Sequence, residues 1–139
     1  MKRPIWFVAV ALLLLAWEAM GVFACIQQFR LGADAMGPAS QYDRDLFARL
    51  PIWYNAIYAV AVGTGLLGGI ALLFGTVLAI PLFAISLIAV VIQFGWLFAT
   101  TDIIAAKGAW VTYFPLVIVA IGVFSLWLAR FARARRWIV

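Results

Sequence analysis

Four long apolar runs alternate with three polar connections along the chain. The runs cover residues 5–28, 51–74, 77–99 and 109–129. A helix needs roughly 20 apolar residues to cross the hydrocarbon core of a bilayer, so each run is long enough for one span. The pattern therefore predicts an all-α membrane protein, in which residues 1–139 form a single four-transmembrane-helix bundle.

The first connection, residues 29–50, is long enough to contain a helix of its own. Gly37 and Pro38 are typical of a turn, whereas Ser40 stands three residues before Asp43, the spacing of a capping box. Apolar residues then recur at helical spacing up to the next proline. We expect a short amphipathic helix at the membrane surface in this loop. The second connection is so short that the spans on either side of it should be antiparallel neighbours.

Composition supports the membrane assignment. Hydrophobic residues make up 68% of the chain and charged residues 11%, with a mean hydropathy of +1.15. Soluble domains are nearer 45–50% apolar and 25% charged. A chain of this length cannot bury so much apolar surface within itself, so the lipid bilayer is its expected partner. The net charge of +5 comes from residues at the ends and in loops, which predicts topology and no nucleic-acid binding.

The basic residues also predict an orientation. Six of them stand near the termini: Lys2, Arg3, Arg130, Arg133, Arg135 and Arg136. In the first and third connections, basic and acidic residues balance. The positive-inside rule then places both termini and the basic tail 130–139 in the cytoplasm, with the loop 29–50 outside. The first run also resembles a signal peptide, but its length and an internal glutamate favour a retained span.

Cysteine and histidine usage argues against catalysis. The chain has one cysteine, so it cannot form an internal disulfide. It has no histidine, which removes the usual haem ligand, the usual zinc ligand and the usual general base at neutral pH. We expect no metal site, no cofactor and no enzymatic activity.

Glu18 is the only acidic side chain within an apolar run. A carboxylate at the centre of a span costs on the order of 2.5–3.5 kcal/mol on insertion scales, so such a residue is a functional-site hypothesis by default. On a helical wheel, Glu18 shares a face with small and polar residues, among them Gly21, Cys25 and Gln28. That face should point into the bundle.

With the predicted topology, polar side chains of the spans gather in the outer half of the bundle. The candidate ligand-binding residues are Glu18, Gln28, Asn55, Tyr58, Gln93 and Trp96. One interpretation is a cavity, open to the outside, for a small polar solute: amides fix its orientation and aromatic rings offer flat apolar faces. The other is that a neutral Glu18 hydrogen-bonds to Gln93 or Tyr58 and serves only helix packing.

Ala61, Gly65 and Gly69 form a row of small residues on the second span. Such rows let helix backbones approach closely. Packing within the chain and a homodimer interface are the two interpretations, and the first is favoured.

The chain resembles a family of small four-span bacterial inner-membrane proteins, largely uncharacterised and often labelled sugar transporters. The resemblance covers nearly the full length, and its motifs are the start at residues 1–6, Trp17 to Ala24, Pro81 to Leu87 and Val91 to Gly95. It implies a bacterial inner-membrane location and a sugar-like solute, and transfers no established site residue. The alternative is a structural or accessory subunit that docks a larger membrane complex.

Overall fold

The computed structural model describes residues 3–32, 34 and 40–139, and in this part of the chain it contains four helices long and apolar enough to cross a membrane. The predicted all-α membrane bundle is thus confirmed. Lys2, Gly37 and Pro38 lie outside the described residues. The helices are α1 (Ile5–Leu31), α2 (Gln41–Arg49), α3 (Ile52–Leu73), α4 (Ala79–Thr100), α5 (Ile103–Lys107) and α6 (Tyr113–Ala134).

The fourth span begins at Ala109, as predicted, and extends beyond the predicted end at residue 129 to Ala134. A 3-10 turn, Ala109–Thr112, precedes α6. Pro115 has no N–H to donate and is tolerated only in the first turn of a helix, which fits a start at Tyr113. At the other end α6 continues to Ala134 because alanine and arginine are strong helix formers, so part of the predicted basic tail is helical.

The closest helix packing follows the order α1, α3, α4, α6, and side chains of α1 also contact α6. α3 packs against both α1 and α4, and α6 packs against α4. Consecutive long helices run in opposite directions, so the bundle has two distinct ends. We call the end that carries residues 3–4, 74–78 and 135–139 the tail end. The end that carries α2 and α5 is the loop end.

At the tail end, two helices finish in the same way and bring the chain's last residues onto the bundle. α3 ends with Gly75 at φ +81°, and α6 ends with Arg136 at φ +59°, both in the left-handed conformation typical of this helix ending. The Val139 N–H then donates to the Gly75 carbonyl at 2.9 Å, and the Val77 N–H donates to the Val139 carbonyl at 3.2 Å. Arg3 adds a hydrogen bond to the Leu73 carbonyl at 2.6 Å.

The apolar core lies in the tail-end half. Its largest fully buried side chains include Phe7, Leu72, Leu128 and Ile138. The complete cluster of buried residues is Phe7, Ala11, Leu14, Ala71, Leu72, Ala79, Phe83, Leu128, Ala129, Ala132 and Ile138. Every member is apolar, and all four long helices contribute.

At the loop end, the predicted amphipathic helix is confirmed as α2. Ser40 and Asp43 form the capping box, and Leu46 is the residue that α2 buries. The Tyr42 hydroxyl donates to Asp102 at 2.8 Å, and Lys107 forms an ion pair with Asp43. These two contacts fasten α2 to the connection between α4 and α6.

Candidate functional site

In the loop-end half, polar side chains from three helices meet in one layer. Gln28 of α1 donates through Nε2 to Asn55 Oδ1 of α3 at 2.9 Å. The Tyr54 hydroxyl of α3 interacts with the side-chain amide of Gln93 on α4. Tyr54 and Gln93 are only 4% and 6% exposed, although both carry polar groups. We call Gln28, Tyr54, Asn55 and Gln93 the polar layer.

Aromatic rings cover one side of the polar layer. The ring of Trp96 lies 5.5 Å from that of Trp53 and 5.5 Å from that of Tyr54, measured between centroids. Trp53 is half exposed, whereas Tyr54 is buried. Together with the amides, these rings provide flat apolar faces beside hydrogen-bonding groups, which is the usual composition of a small-molecule site.

Tyr58 lies one turn deeper than Tyr54 on α3, on the same face. It is close to Cys25 of α1 as well as to Tyr54. Cys25 is 3% exposed, so the sulfur is enclosed by α1 and its neighbours. Tyr58 therefore extends the polar layer towards the middle of the bundle.

Glu18 lies deeper still, where α1 faces α3. A Cβ atom added at Gly65 would overlap Glu18 Oε2, and it would stand 2.7 Å from Glu18 Cδ and 3.1 Å from Ser86 Oγ. Only glycine at position 65 therefore leaves room for the carboxyl group. The small residue on α3 creates the space that the acidic residue on α1 occupies.

The neighbours of Glu18 are polar but hydrogen-bond elsewhere. The Ser86 hydroxyl donates to the Ala61 carbonyl at 2.6 Å. Among the described residues, we find no hydrogen bond to the Glu18 carboxyl, which is half-buried and retains some exposed surface. The carboxyl group is thus available to a ligand or to water.

The structure separates the six predicted residues into two levels. Gln28, Asn55, Gln93 and Trp96 belong to the polar layer or contact it, and Tyr58 lies next to it. Glu18 precedes Gln28 by ten residues, which is about 15 Å along a helix. The expected hydrogen bond between Glu18 and Gln93 or Tyr58 is not found among the described residues.

Two residues at the site were not among the predicted six. Ser86 shares a helical face with Gln93, and like Glu18 it lies against Gly65 of α3. Its position on that face could have been used to predict it from the sequence. Tyr54 resembles an interface anchor in the sequence because it stands near the start of a span, and only the packing of α4 against α3 shows that it is buried.

The small-residue row on α3 is covered by the same chain. Ala61 is 2% exposed and Gly65 is buried beneath Glu18. A Cβ at Gly69 would lie 3.3 Å from Leu15 Cδ1 and 3.4 Å from Leu15 Cα. The row therefore serves the contact between α1 and α3, and a second copy of the chain would need another surface.

In the described residues, no group of three or more acidic, cysteine or histidine side chains is placed to hold a metal ion. No protein-family model, curated protein or solved structure matches the chain. The class of protein therefore rests on the fold alone: four apolar spans define a multi-pass integral membrane protein.

Proposed function

We propose that this protein binds a small polar, sugar-like solute in the loop-end half of its bundle and transports it across the bacterial inner membrane. The carrying observation is the half-buried Glu18 carboxyl, which accepts no hydrogen bond from the described residues and lies beside the Ser86 hydroxyl. An ionisable group in a span is energetically costly, so its presence there supports a functional site.

The polar layer supports the same proposal. A solute entering from the loop end meets the amides of Gln28, Asn55 and Gln93 and the rings beside them before it reaches Glu18. Hydroxyl groups of a sugar pair with amides and carboxylates, and the apolar face of its ring packs on indole and phenol rings. Partial separation of Gln28 from Asn55 would open the path, at the expense of one interhelical hydrogen bond.

We place the tail end in the cytoplasm. All arginines of the tail end, Arg3, Arg130, Arg133, Arg135 and Arg136, lack an acidic residue nearby in the sequence, whereas basic and acidic residues balance at the loop end. This asymmetry satisfies the positive-inside rule. The site would then accept solute from outside, and release would require rearrangement of the apolar tail-end half.

A structural or accessory role is the second candidate, and one observation favours it. Gly63 of α3 and Gly95 of α4 would each accept a Cβ with no atom within 4 Å, so both lie on open helix surface. Smooth glycine surfaces in spans allow another helix to approach closely. In this candidate, a larger membrane protein packs there and the polar layer only joins α1, α3 and α4.

Thermal unfolding of the purified protein with a panel of sugars, polyols and small amides separates the two candidates. A ligand that binds only the folded state at 100 times its Kd stabilises it by about 2.7 kcal/mol. We expect one class of solute to raise the melting temperature of the parent and of the control Gly63→Ala. The response should fall in Glu18→Gln, which keeps the shape of the side chain and removes its charge.

A different outcome of the same experiment would argue against the solute site. If no solute stabilises the parent, and Glu18→Leu melts higher than the parent, Glu18 serves only packing and the accessory role gains support. Uptake into proteoliposomes then distinguishes binding from transport for any solute that does stabilise the parent.

Cysteine labelling tests the orientation separately. In a Cys25→Ala background, Ala48→Cys on α2 and Ala134→Cys at the end of α6 are matched exposed positions. A membrane-impermeant thiol reagent applied to intact spheroplasts should label position 48 and not position 134. The reverse pattern would place the tail end outside and contradict the proposed orientation.

A further inference from the structure

An apolar crevice runs between α1 and α6. It is a shallow, open crevice of about 460 Å³. Its lining residues are apolar and include Val10, Leu14 and Trp17 of α1 and Val117, Ala120 and Phe124 of α6. α1 packs mainly on α3 and α6 packs mainly on α4, and the crevice lies between α1 and α6.

Aromatic contacts close both ends of this α1–α6 crevice. Towards the loop end, Trp17 meets Phe114 with ring centroids 6.1 Å apart. Towards the tail end, Trp137 contacts both Trp6 and Phe7, at 5.5 Å and 5.2 Å, and thereby joins the last residues to α1. The open side of the crevice therefore faces the acyl chains of the bilayer.

A second series of aromatic rings leads from the crevice to a cation. Phe124 lies 6.0 Å from Trp127, and Trp127 stacks on Phe131 at 5.2 Å. The Arg135 guanidinium lies 5.1 Å from the centroid of Phe131. Phe124, Trp127 and Arg135 are exposed, so this series forms a continuous track on the lipid side of α6.

The charge at the tail end complements a phosphate group. The chain's five acidic residues all lie elsewhere, at Glu18 and in the connections at the loop end. No acidic side chain therefore competes for Arg135. Basic side chains at a membrane surface contribute about 1 kcal/mol each to the binding of anionic lipid.

The dimensions also fit one lipid molecule. Phe124 precedes Arg135 by eleven residues, or about 16 Å, and Ala120 precedes it by about 22 Å. A bilayer is about 40–45 Å thick including its headgroups, so a phosphate at Arg135 places the distal half of its acyl chain at the depth of these two residues. Trp127 and Phe131 cover the intervening length.

We propose that the α1–α6 crevice, together with Arg135, is a binding site for one anionic phospholipid of the tail-side leaflet. The distal acyl chain lies in the crevice between Leu14 and Ala120, and the phosphate lies on the Arg135 guanidinium. The crevice determines how much lipid is retained, whereas Arg135 determines which headgroup is preferred. This division gives the proposal two independent tests, and neither depends on the solute site.

The first test measures headgroup preference by native mass spectrometry of the purified protein with phosphatidylglycerol or phosphatidylcholine of identical chains. We expect the parent to retain one phosphatidylglycerol in preference to phosphatidylcholine. Arg135→Gln should lower that preference about fivefold, the fold-change expected for one basic side chain near the surface. The control Arg49→Gln removes an exposed arginine at the loop end and should leave the preference unchanged.

The second test fills the crevice. Ala120→Phe should reduce retention of both lipids, whereas Ala16→Phe, at an exposed alanine of α1 that does not line the crevice, should not. Ala120→Leu, a smaller change, should give an intermediate result if the larger side chain prevents folding.

Three results would overturn the proposal. The first is equal retention of the two lipids by the parent, and the second is an Ala120→Phe variant that behaves like Ala16→Phe. The third is a stable dimer that Ala120→Phe dissociates, since a second copy of the chain would then occupy the crevice.

Discussion

The helices associate through different interactions in the two halves of this bundle. The tail-end half is a fully apolar core in which Phe7, Leu72 and Leu128 have no exposed surface. The loop-end half buries Tyr54 and Gln93 and joins its helices by side-chain hydrogen bonds. In lipid, apolar surface gives little driving force for association, so tight packing has to hold the first half and polar contacts contribute to the second.

The difference indicates which half is free to change shape. Close packing tolerates few alternatives, because any displacement of a core side chain opens a void or creates an overlap. An interhelical hydrogen bond in a membrane averages only about 0.6 kcal/mol, and water or a solute can replace it. The proposed solute site therefore requires only that the loop-end half exchange its internal contacts for the ligand, while the tail-end half maintains the bundle.

The largest effect is expected from a truncation in the tail-end core. Phe7 is fully buried and contacts both Trp6 and Trp137. Phe7→Ala should lower the free energy of unfolding by about 3–5 kcal/mol, measured by denaturant titration in detergent. Phe23→Ala removes a phenylalanine that is 64% exposed on the same helix and should have a much smaller effect. Equal losses would mean that the tail-end half is no better packed than the lipid-facing surface.

The next largest change in the free energy of unfolding is expected at one of two glycines of α3. A Cβ at Gly68 would stand 2.8 Å from the ring of Phe83, which is itself 2% exposed and cannot move freely. Gly68→Ala should therefore cost about 1–3 kcal/mol. A Cβ at Gly63 meets no atom within 4 Å, so Gly63→Ala should be neutral or gain up to about 1 kcal/mol from helix propensity. Similar melting temperatures for the two variants would contradict this packing.

Loss of a hydrogen bond in the polar layer should lower the free energy of unfolding less than Phe7→Ala or Gly68→Ala does. Gln28→Leu, Asn55→Leu and the double variant form a mutant cycle around the hydrogen bond between α1 and α3. The coupling energy should be about 0.6 kcal/mol and should not exceed about 1.7 kcal/mol. A coupling above 3 kcal/mol would show that this bond holds the loop-end half together as firmly as the core holds the other half.

The smallest effect is a pH dependence at the loop end. The hydrogen bond from Lys107 holds the pKa of Asp43 below its ordinary value. The ionised carboxylate thus stabilises α2 at pH values above its unfolded pKa of about 3.9, and this stabilisation is lost as the pH falls further through the folded pKa.

Hydrogen exchange of α2 measured at pH 6 and pH 3 checks this dependence. The protection factors of the α2 amides, that is, the intrinsic exchange rate at each pH divided by the observed rate, should fall at pH 3 in the parent, and Asp43→Asn should show low protection factors at both pH values. Asp45→Asn, the matched control in the same helix, should behave like the parent. A parent whose α2 protection factors are equal at both pH values would show that the ion pair does not hold α2.

The fold was largely predictable from the sequence. For the site, the sequence indicated which residues belong to it but not which of them contact one another. Length and hydropathy predict the spans, and the spacing of Ser40 and Asp43 predicts the start of α2. Periodicity places Glu18 and Gln93 on inward faces but contains no information on axial register between helices. That register, set by contacts such as Gly69 against Leu15, places the carboxyl beside Ser86 and the amide beside Tyr54.

The most direct test of the difference between the two halves is the water accessibility of matched cysteines. In a Cys25→Ala background, Asn55→Cys lies in the polar layer and Ser125→Cys lies beside the apolar core, where Ser125 is 1% exposed. We predict that a small water-soluble thiol reagent labels position 55 from the loop side and leaves position 125 unlabelled. A solute that stabilises the protein should slow the reaction at position 55. Equal labelling of both positions, or labelling of position 55 that no stabilising solute slows, would contradict a solute site in the loop-end half.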